Sequence, residues 1–362
     1  MRLFKEILII YGARQTGKTT LVKHITEIVS VKSTYFNCDD KEIRVLLEGI
    51  NSKNTDLLIG NAKLIVIDEA QRVKNIGLVL KILIDINPDI QFIATGSSAF
   101  ELSNEINEPL TGRKIEFNLL PFSFSELSDN QLVLDEKMQL KRRLIYGSYP
   151  DAVNNPGNEE IIPDNLANSY LFKDIFTVKD LRKSELLEKL LEALALQIGS
   201  ETNYSELALT VGANIETVQR YIQVLEKTFV IFRLRSLSRN VRNELKKSRK
   251  IYFFDNGIRN ALISDYKDIN LRTDKDALWE NYFISERYKC LVYGEKSAKQ
   301  FFWRTTQQQE IDYIEERNNE IAAFEIKYHP KKKTVFSKTF LKAYNVKEMN
   351  IVNIENYYKF LL

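Results

Sequence analysis

Histidine and cysteine are almost missing from this chain, with two of each in 362 residues. Cys38 and Cys290 stand far apart and form no metal or redox spacing, a usage that suits a reducing cytosol. His24 and His329 lie away from every other chemical signal, which argues against a His-rich metal site or a Ser-His-Asp triad; both read as surface or helix-face residues. No apolar run approaches the ~20 residues of a membrane span, so no membrane partner is expected. Few residues precede the first motif, so no signal peptide and a cytoplasmic location are expected. A net charge of +3 is too small to argue for nucleic acid by itself, and only the distribution of charge can do so. The 44% hydrophobic and 28% charged content is that of a globular protein, with room for two or three domains.

What is present begins at residue 12. Gly12-Ala13-Arg14-Gln15-Thr16-Gly17-Lys18-Thr19 is a complete G-x-x-x-x-G-K-T phosphate loop, followed by Thr20. The apolar run Ile7–Ile10 precedes it, and a helical pattern follows from Leu21. A buried strand that breaks into a glycine turn and then a helix directs backbone N–H groups and a positive helix end at a triphosphate. Lys18 is expected as an exposed loop residue that reaches the β- and γ-phosphates, and Thr19 as a hydroxyl ligand of Mg²⁺. A second apolar run, Leu64–Ile67, ends in Asp68 and Glu69. Four Leu or β-branched residues in a row suit a central parallel strand, whose carboxyl end gathers ligand groups beside the phosphate loop. Asp68 is then placed to hold Mg²⁺ through water and Glu69 to polarise the attacking water; the bland alternative makes them an N-cap and a first-turn acid of the next helix. A third run, Gln91–Thr95, enters Gly96-Ser97-Ser98, where Thr95 and more weakly Ser97 could sense a γ-phosphate, or simply form a turn. ATP and Mg²⁺ are the expected ligand and cofactor.

The first part alternates strand and helix signals and predicts a doubly wound parallel sheet. From Phe122 to Leu181 the pattern is helical and polar. Asn203-Tyr204-Ser205-Glu206 reads as a capping box, Gly212 as the stop, and Asn214 as the cap of a helix whose buried face is Ile215, Val218, Ile222 and Leu225. Helix, glycine turn, helix is a helix-turn-helix order, with Thr217, Gln219, Arg220 and Gln223 facing outward. Two β-type runs, 229–234 and 250–254, suit a winged variant. Between them lie Arg233, Arg235, Arg239, Arg242, Lys246, Lys247, Arg249 and Lys250, opposed only by Glu244. Such a run is either a solvated face or, on a wing, a nucleic-acid contact; Arg220, Arg239, Arg242, Lys246 and Lys247 are the candidates. Near the C-terminus, alternation places Glu325 and Lys327 on one strand face, with Asp312 on a neighbouring strand and Glu280 on a helix. Two carboxylates beside a lysine can bind Mg²⁺ and activate water for phosphodiester cleavage; alternating charge on a half-exposed strand is the plainer reading.

GARQTGKTT, the strand ending IDEAQ, ATGSS, LTGR before FNLLPFSFSEL, GSYPDAV, KIYFFDNGIR, ALWENYF, and EID followed by FEIK span nearly the whole chain. Together they resemble a bacterial and archaeal family of AAA-type, STAND-like ATPases with a C-terminal domain of restriction-endonuclease-like fold. The resemblance implies an α/β P-loop NTPase core over residues 1–125, a helical lid over 126–182, a winged helix over 183–262, and an α/β restriction-endonuclease-like domain over 263–362. It also implies that Arg113 is an arginine finger or nucleotide sensor, and that Pro150 is a nucleotide-contacting proline. Members usually carry a helical segment ahead of the first strand; here few residues precede it, which implies a more open adenine pocket. The leading expectation is an Mg²⁺-dependent ATPase whose nucleotide state drives the C-terminal half on DNA. The alternatives are a signalling or defence switch that binds a protein partner or itself, and a nuclease regulated by ATP.

Overall fold

The computed structural model describes residues 4, 6–96, 109–129, 132–167, 184–238, 249–294, 297–331 and 334–362. Ser97, Ser98, Arg239, Arg242, Lys246 and Lys247 lie outside the described residues. The chain divides into two compact units, the first comprising the described residues up to Leu120 with a short return at Lys227–Phe229.

In the first unit, strands β1 (Ile7–Tyr11), β2 (Ser33–Asn37), β3 (Leu64–Asp68), β4 (Gln91–Gly96) and β5 (Lys114–Asn118) form one parallel sheet in the order β2-β3-β4-β1-β5. Helices α1 (Lys18–Ile28), α2 (Lys41–Glu48), α3 (Thr55–Ile59) and α4 (Ile76–Ile86) make the crossovers. Every residue of β3 is buried, as a continuous apolar run covered on both faces should be. Ile10, Val22, Leu64, Val66 and Ile93 form a core between α1 and the sheet. Because all strands run the same way, Tyr11, Asn37, Asp68 and Gly96 finish at one edge, and the phosphate loop leaves that edge.

The second unit contains helices α5 (Phe124–Asp129), α6 (Val133–Met138), α7 (Leu140–Tyr146), α8 (Pro150–Asn154), α9 (Ile161–Asn165), α10 (Ser184–Leu196), α11 (Tyr204–Val211), α12 (Ile215–Lys227), α13 (Asn256–Leu262), α14 (Lys275–Tyr293) and α15 (Lys338–Ala343). Its strands are β6 (Glu201–Thr202), β7 (Ile231–Ser236), β8 (Arg249–Phe253), β9 (Lys299–Arg304), β10 (Glu310–Arg317), β11 (Glu320–Ile326) and β12 (Val346–Val352). They form a single seven-stranded sheet, β12-β11-β10-β9-β7-β8-β6. β7 pairs in parallel with β9, so the sheet runs across the expected boundary between residues 262 and 263. Helices α6 to α9, which lie within the lid expected over 126–182, also fall in this unit.

Local signals account for α11 and α12. The Asn203 side chain accepts from Ser205 N–H, Gly212 closes α11 at φ 69°, and Asn214 accepts from Thr217 N–H at 2.7 Å. One detail is corrected: Ile215 is 42% exposed, and the buried face of α12 is Val218, Tyr221, Ile222, Val224 and Leu225. Ile215 sits in the first turn, beyond the reach of the core that its helical spacing suggested.

The segments GSYP, FFDNGIR and WENYF meet in a buried polar network. Asp255 accepts from Ser148 N–H at 2.6 Å, and a Cβ at Gly147 would stand 2.0 Å from the Asp255 carboxylate. Asn260 donates to the Leu144 and Ile145 carbonyls, while Asn281 bonds both the Phe253 backbone and Asn256. These side chains satisfy helix-end and strand backbone groups that burial would otherwise leave unpaired. Among the described residues no helix is long and apolar enough to cross a membrane.

Candidate functional site

The phosphate loop is shaped by what it excludes. A Cβ on Gly12 would lie 2.2 Å from the Leu119 carbonyl oxygen, and Gly17 adopts φ 94°, so glycine is required at both. Thr16 folds its hydroxyl onto the Ala13 carbonyl at 2.9 Å. Ala13 and Thr16 are buried, Arg14 and Gln15 half-buried, and Thr20 exposed on the first turn of α1. Lys18 corrects the expectation of an exposed residue. It is 5% exposed, and its ammonium donates to the Gly12 and Ala13 carbonyls at 2.8 and 2.7 Å. The charge is held inside the curl of the loop, where phosphates would compete for it.

Asp68 ends β3 at 2% exposure and gathers hydroxyls from three elements. Thr19 of α1 donates to Oδ2 at 2.7 Å, Tyr35 of β2 donates to the same oxygen at 2.5 Å, and Thr95 of β4 donates to Oδ1. Thr95 also accepts from Glu69 N–H at 3.1 Å, so one hydroxyl ties both acids to β4. Glu69 has φ 55° and ψ 41°, a left-handed conformation that costs a non-glycine residue about 1–3 kcal/mol. It is the N-cap residue of the following turn, with no side-chain capping hydrogen bond. Its carboxylate accepts instead from Gln71 Nε2 at 2.7 Å. Tyr35 and Gln71 are absent from the sequence reading. A hydroxyl two residues before the end of the strand beside β3 was the signal for Tyr35.

This donor set fits a magnesium triphosphate. The cradle admits no side chain at Gly12, an ammonium lies inside it, and a threonine hydroxyl meets a buried carboxylate at its rim. Thr19 and Asp68 would hold Mg²⁺, which when bound supplies charge neutralisation across the β- and γ-phosphate oxygens.

Arg113 is displaced from this edge. Ile7 N–H bonds its carbonyl, which puts it beside the start of β1, whereas the phosphate loop follows the end. The five residues of β1 span about 16 Å, too far for its guanidinium to reach the same copy's phosphates. The sensor expectation within one copy is thus corrected. Arg113 pairs instead with Asp85 of α4 at 2.8 Å, both side chains 42% exposed. Pro150 occupies the first turn of α8 in the second unit, and its nucleotide contact stays a proposal.

In the second unit the E-D-ExK residues do come together. Lys327 Nζ lies 2.7 Å from Asp312 Oδ2 and 3.0 Å from Glu325 Oε2, and Ile326 N–H also donates to Asp312. Glu280 joins through Lys250, whose ammonium is 3.0 Å from Glu280 Oε1 and 2.6 Å from Glu310 Oε1; Tyr252 donates to Glu280 as well. Phe324 and Ile326 point into the core, as the alternation required. Two ammoniums fill the space between the carboxylates, and among the described residues no group of three or more His, Cys, Asp or Glu is arranged to hold a metal. Glu280, Asp312, Glu325 and Lys327 thus share one ionic cluster with Lys250 and Glu310, and its use as an Mg²⁺ site stays a proposal. The basic run is corrected too. Lys250 is buried in this cluster, and Arg233 is paired with Glu226, so neither belongs to a solvated face. Arg220 is exposed on α12.

Burial, first, and then the Asp312 charge raise Glu325 from 4.5 to about 7, against the lowering pull of Lys327. The folded state therefore binds a proton more tightly than the unfolded state. The contribution of Glu325 to stability is complete below about pH 4.5 and is lost as pH rises through about 7. Chemical denaturation of the wild type should show stability falling between pH 5 and 8, and Glu325→Gln should flatten that slope. Equal slopes in the two proteins would refute this assignment.

Residues 4–128 match a family model described as an AAA domain, and residues 137–271 and 275–359 match two models described as domains of unknown function. An uncharacterised protein of Mycobacterium tuberculosis is 26% identical over 327 residues, covering 89% of this chain and 70% of the relative. An uncharacterised protein of Haemophilus influenzae is 25% identical over 353 residues, covering 88% and 83%. Among solved structures, Cdc6p from Pyrobaculum aerophilum covers 72% of this chain and 89% of its own at 12% identity, with a TM-score of 0.29. That likeness is too slight to bear on function. The first unit is similar to AAA-type ATPase domains in sequence, and its parallel sheet is that of a P-loop NTPase.

Proposed function

We propose that the protein is an Mg²⁺-dependent ATPase whose nucleotide state drives a DNA-binding C-terminal half. The observation that carries the ATPase reading is the convergence of Thr19 and Thr95 on Asp68 at the rim of the phosphate loop, with Glu69 N–H bonded to the same Thr95 hydroxyl. Lys18 and the loop N–H groups bind phosphate, Asp68 and Thr19 fix the cation side, and Glu69 takes a proton from the attacking water. Support for DNA comes from α10–α12 with the antiparallel β7–β8 pair, the order of a winged helix, and from Gln219, Arg220 and Gln223 on the exposed face of α12. The lysine-filled acidic cluster favours a binding rather than a cleaving role for the sheet that carries it.

A second reading, a switch that binds a protein partner or a second copy, is favoured by Leu209 at 85% exposure and Ile215 at 42% on the same helix pair. Lys18→Ala should abolish ATP binding and hydrolysis while circular dichroism shows the fold intact. Duplex DNA should raise the wild-type turnover, with a salt dependence that reports phosphate contacts. Hydrolysis unaffected by Lys18→Ala would refute the site; turnover indifferent to DNA, with no DNA binding at low salt, would leave the switch.

A further inference from the structure

Asp68 receives one hydroxyl more than a strand-end carboxylate needs to meet a threonine-held cation. We propose that Tyr35 is a positioning residue that restricts Asp68 to the water shell of the bound cation, and so sets a preference for Mg²⁺ over larger ions such as Ca²⁺. The proposal rests on reading the first unit as an Mg²⁺–nucleotide site.

The backbone places the phenol. β2 lies in parallel register with β3, Tyr35 beside Val66 and Asn37 beside Asp68, so Tyr35 and Asp68 project from the same sheet face. The long ring spans the two-residue offset and brings its hydroxyl to 2.5 Å from Asp68 Oδ2, the oxygen that also accepts from Thr19 at 2.7 Å. Thr95 takes the other oxygen. The ring is held against the core of Ile10, Val22, Leu64, Val66 and Ile93, and the Lys23 ammonium lies 5.5 Å from its centroid. Burial, first, and the hydrogen bond to Asp68 raise the phenol's pKa above the ordinary tyrosine range, so it keeps its proton and donates.

The consequence follows from counting acceptor sites. A carboxylate offers about four lone-pair positions, and a hydroxyl donor occupies one each. With Tyr35, Thr19 and Thr95 in place, roughly one position remains. That is enough for a hydrogen bond from one metal-bound water. It is not enough for direct or bidentate ligation without expelling a hydroxyl. Mg²⁺ keeps several waters in a strict octahedron, whereas Ca²⁺ accepts carboxylates directly in a looser shell of ~6–8 oxygens. Removing the phenol oxygen would free a second position on Oδ2 and let the carboxylate turn toward the ion. Thr19 is unaffected by this argument, because its oxygen can face the ion while its hydroxyl goes on donating to Asp68.

The test is nucleotide binding rather than turnover. A non-hydrolysable ATP analogue is titrated by calorimetry into full-length wild type and Tyr35→Phe, with Mg²⁺, with Ca²⁺, and with EDTA. Phenylalanine preserves the packed ring and removes only the oxygen. Affinity in EDTA should be unchanged, and the ratio of Mg²⁺- to Ca²⁺-supported affinity should fall about tenfold, the scale of one hydrogen bond to a charged group. An unchanged ratio would overturn the proposal. So would an equal loss in all three conditions, because that marks a merely structural tyrosine. Wild-type protein whose nucleotide affinity ignores metal altogether would sink the reading of the site itself, a result distinct from both.

Discussion

Glu69→Gln is expected to cut ATP turnover by roughly 10²–10⁴-fold, the range for losing a positioned general base, while ATP stays bound. The residue is poor at any structural task. Its left-handed backbone is strained, its side chain caps nothing, and its N–H is already satisfied by Thr95. What the strain achieves is direction. A carboxylate immediately beyond the cation-side aspartate is steadied by Gln71 at 2.7 Å. Glutamine keeps the shape and the Gln71 contact but cannot accept a proton from water. The phosphate cradle, made by Gly12, Gly17 and Lys18, is untouched. Radiolabelled ATP should therefore remain with the variant through gel filtration while phosphate release stalls. Wild-type phosphate release in the variant would move the base elsewhere.

The parts of this site that could be read in the sequence are those whose spacing is local. The loop from Gly12 to Thr19 lies between a strand and a helix, and Asp68 and Glu69 end an apolar run; each needs only its own neighbours to be understood. The hidden parts depend on what lies across the sheet. The burial of Lys18 follows from the curl of the loop carbonyls toward it, and Tyr35 meets a carboxylate 33 residues away. The second unit repeats the lesson. The cap at Asn203 and the inward alternation of Phe324 and Ile326 are local, and both were legible. Lys250 was not, because a run of basic letters does not show which one turns inward; its partners Glu280 and Glu310 are 30 and 60 residues on. The union of β7 with β9 is a parallel pairing between distant segments, and no turn signal announces it. Arg113 is the instructive case. Its position just before β5 was plain, but only the direction of the strands shows that it faces away from its own phosphate loop.

Arg113→Ala is accordingly expected to lower turnover by ~10³-fold or more, and to do so through a second copy of the chain. An arginine about 16 Å from its own phosphate edge can act on the charge of phosphoryl transfer only where another molecule presents a nucleotide to it. Its present partner does not hold it back. The Arg113–Asp85 pair is exposed on both sides, and such pairs contribute about 0–1 kcal/mol, which a triphosphate would readily outbid. Three consequences follow if the finger acts between copies. Specific activity of the wild type rises with protein concentration, because each active site needs a neighbour. Arg113→Ala loses turnover but keeps ATP affinity, since the ground-state contacts belong to the loop. Most tellingly, Arg113→Ala mixed with Lys18→Ala regains activity: the first supplies an intact phosphate loop and the second an intact arginine. A mixture as inactive as its components, together with a wild-type specific activity that stays constant down to concentrations where sedimentation shows a monomer, would eliminate the trans arginine. Because the strand geometry already rules out the cis arrangement, Arg113 would then be left as no more than a surface ion pair.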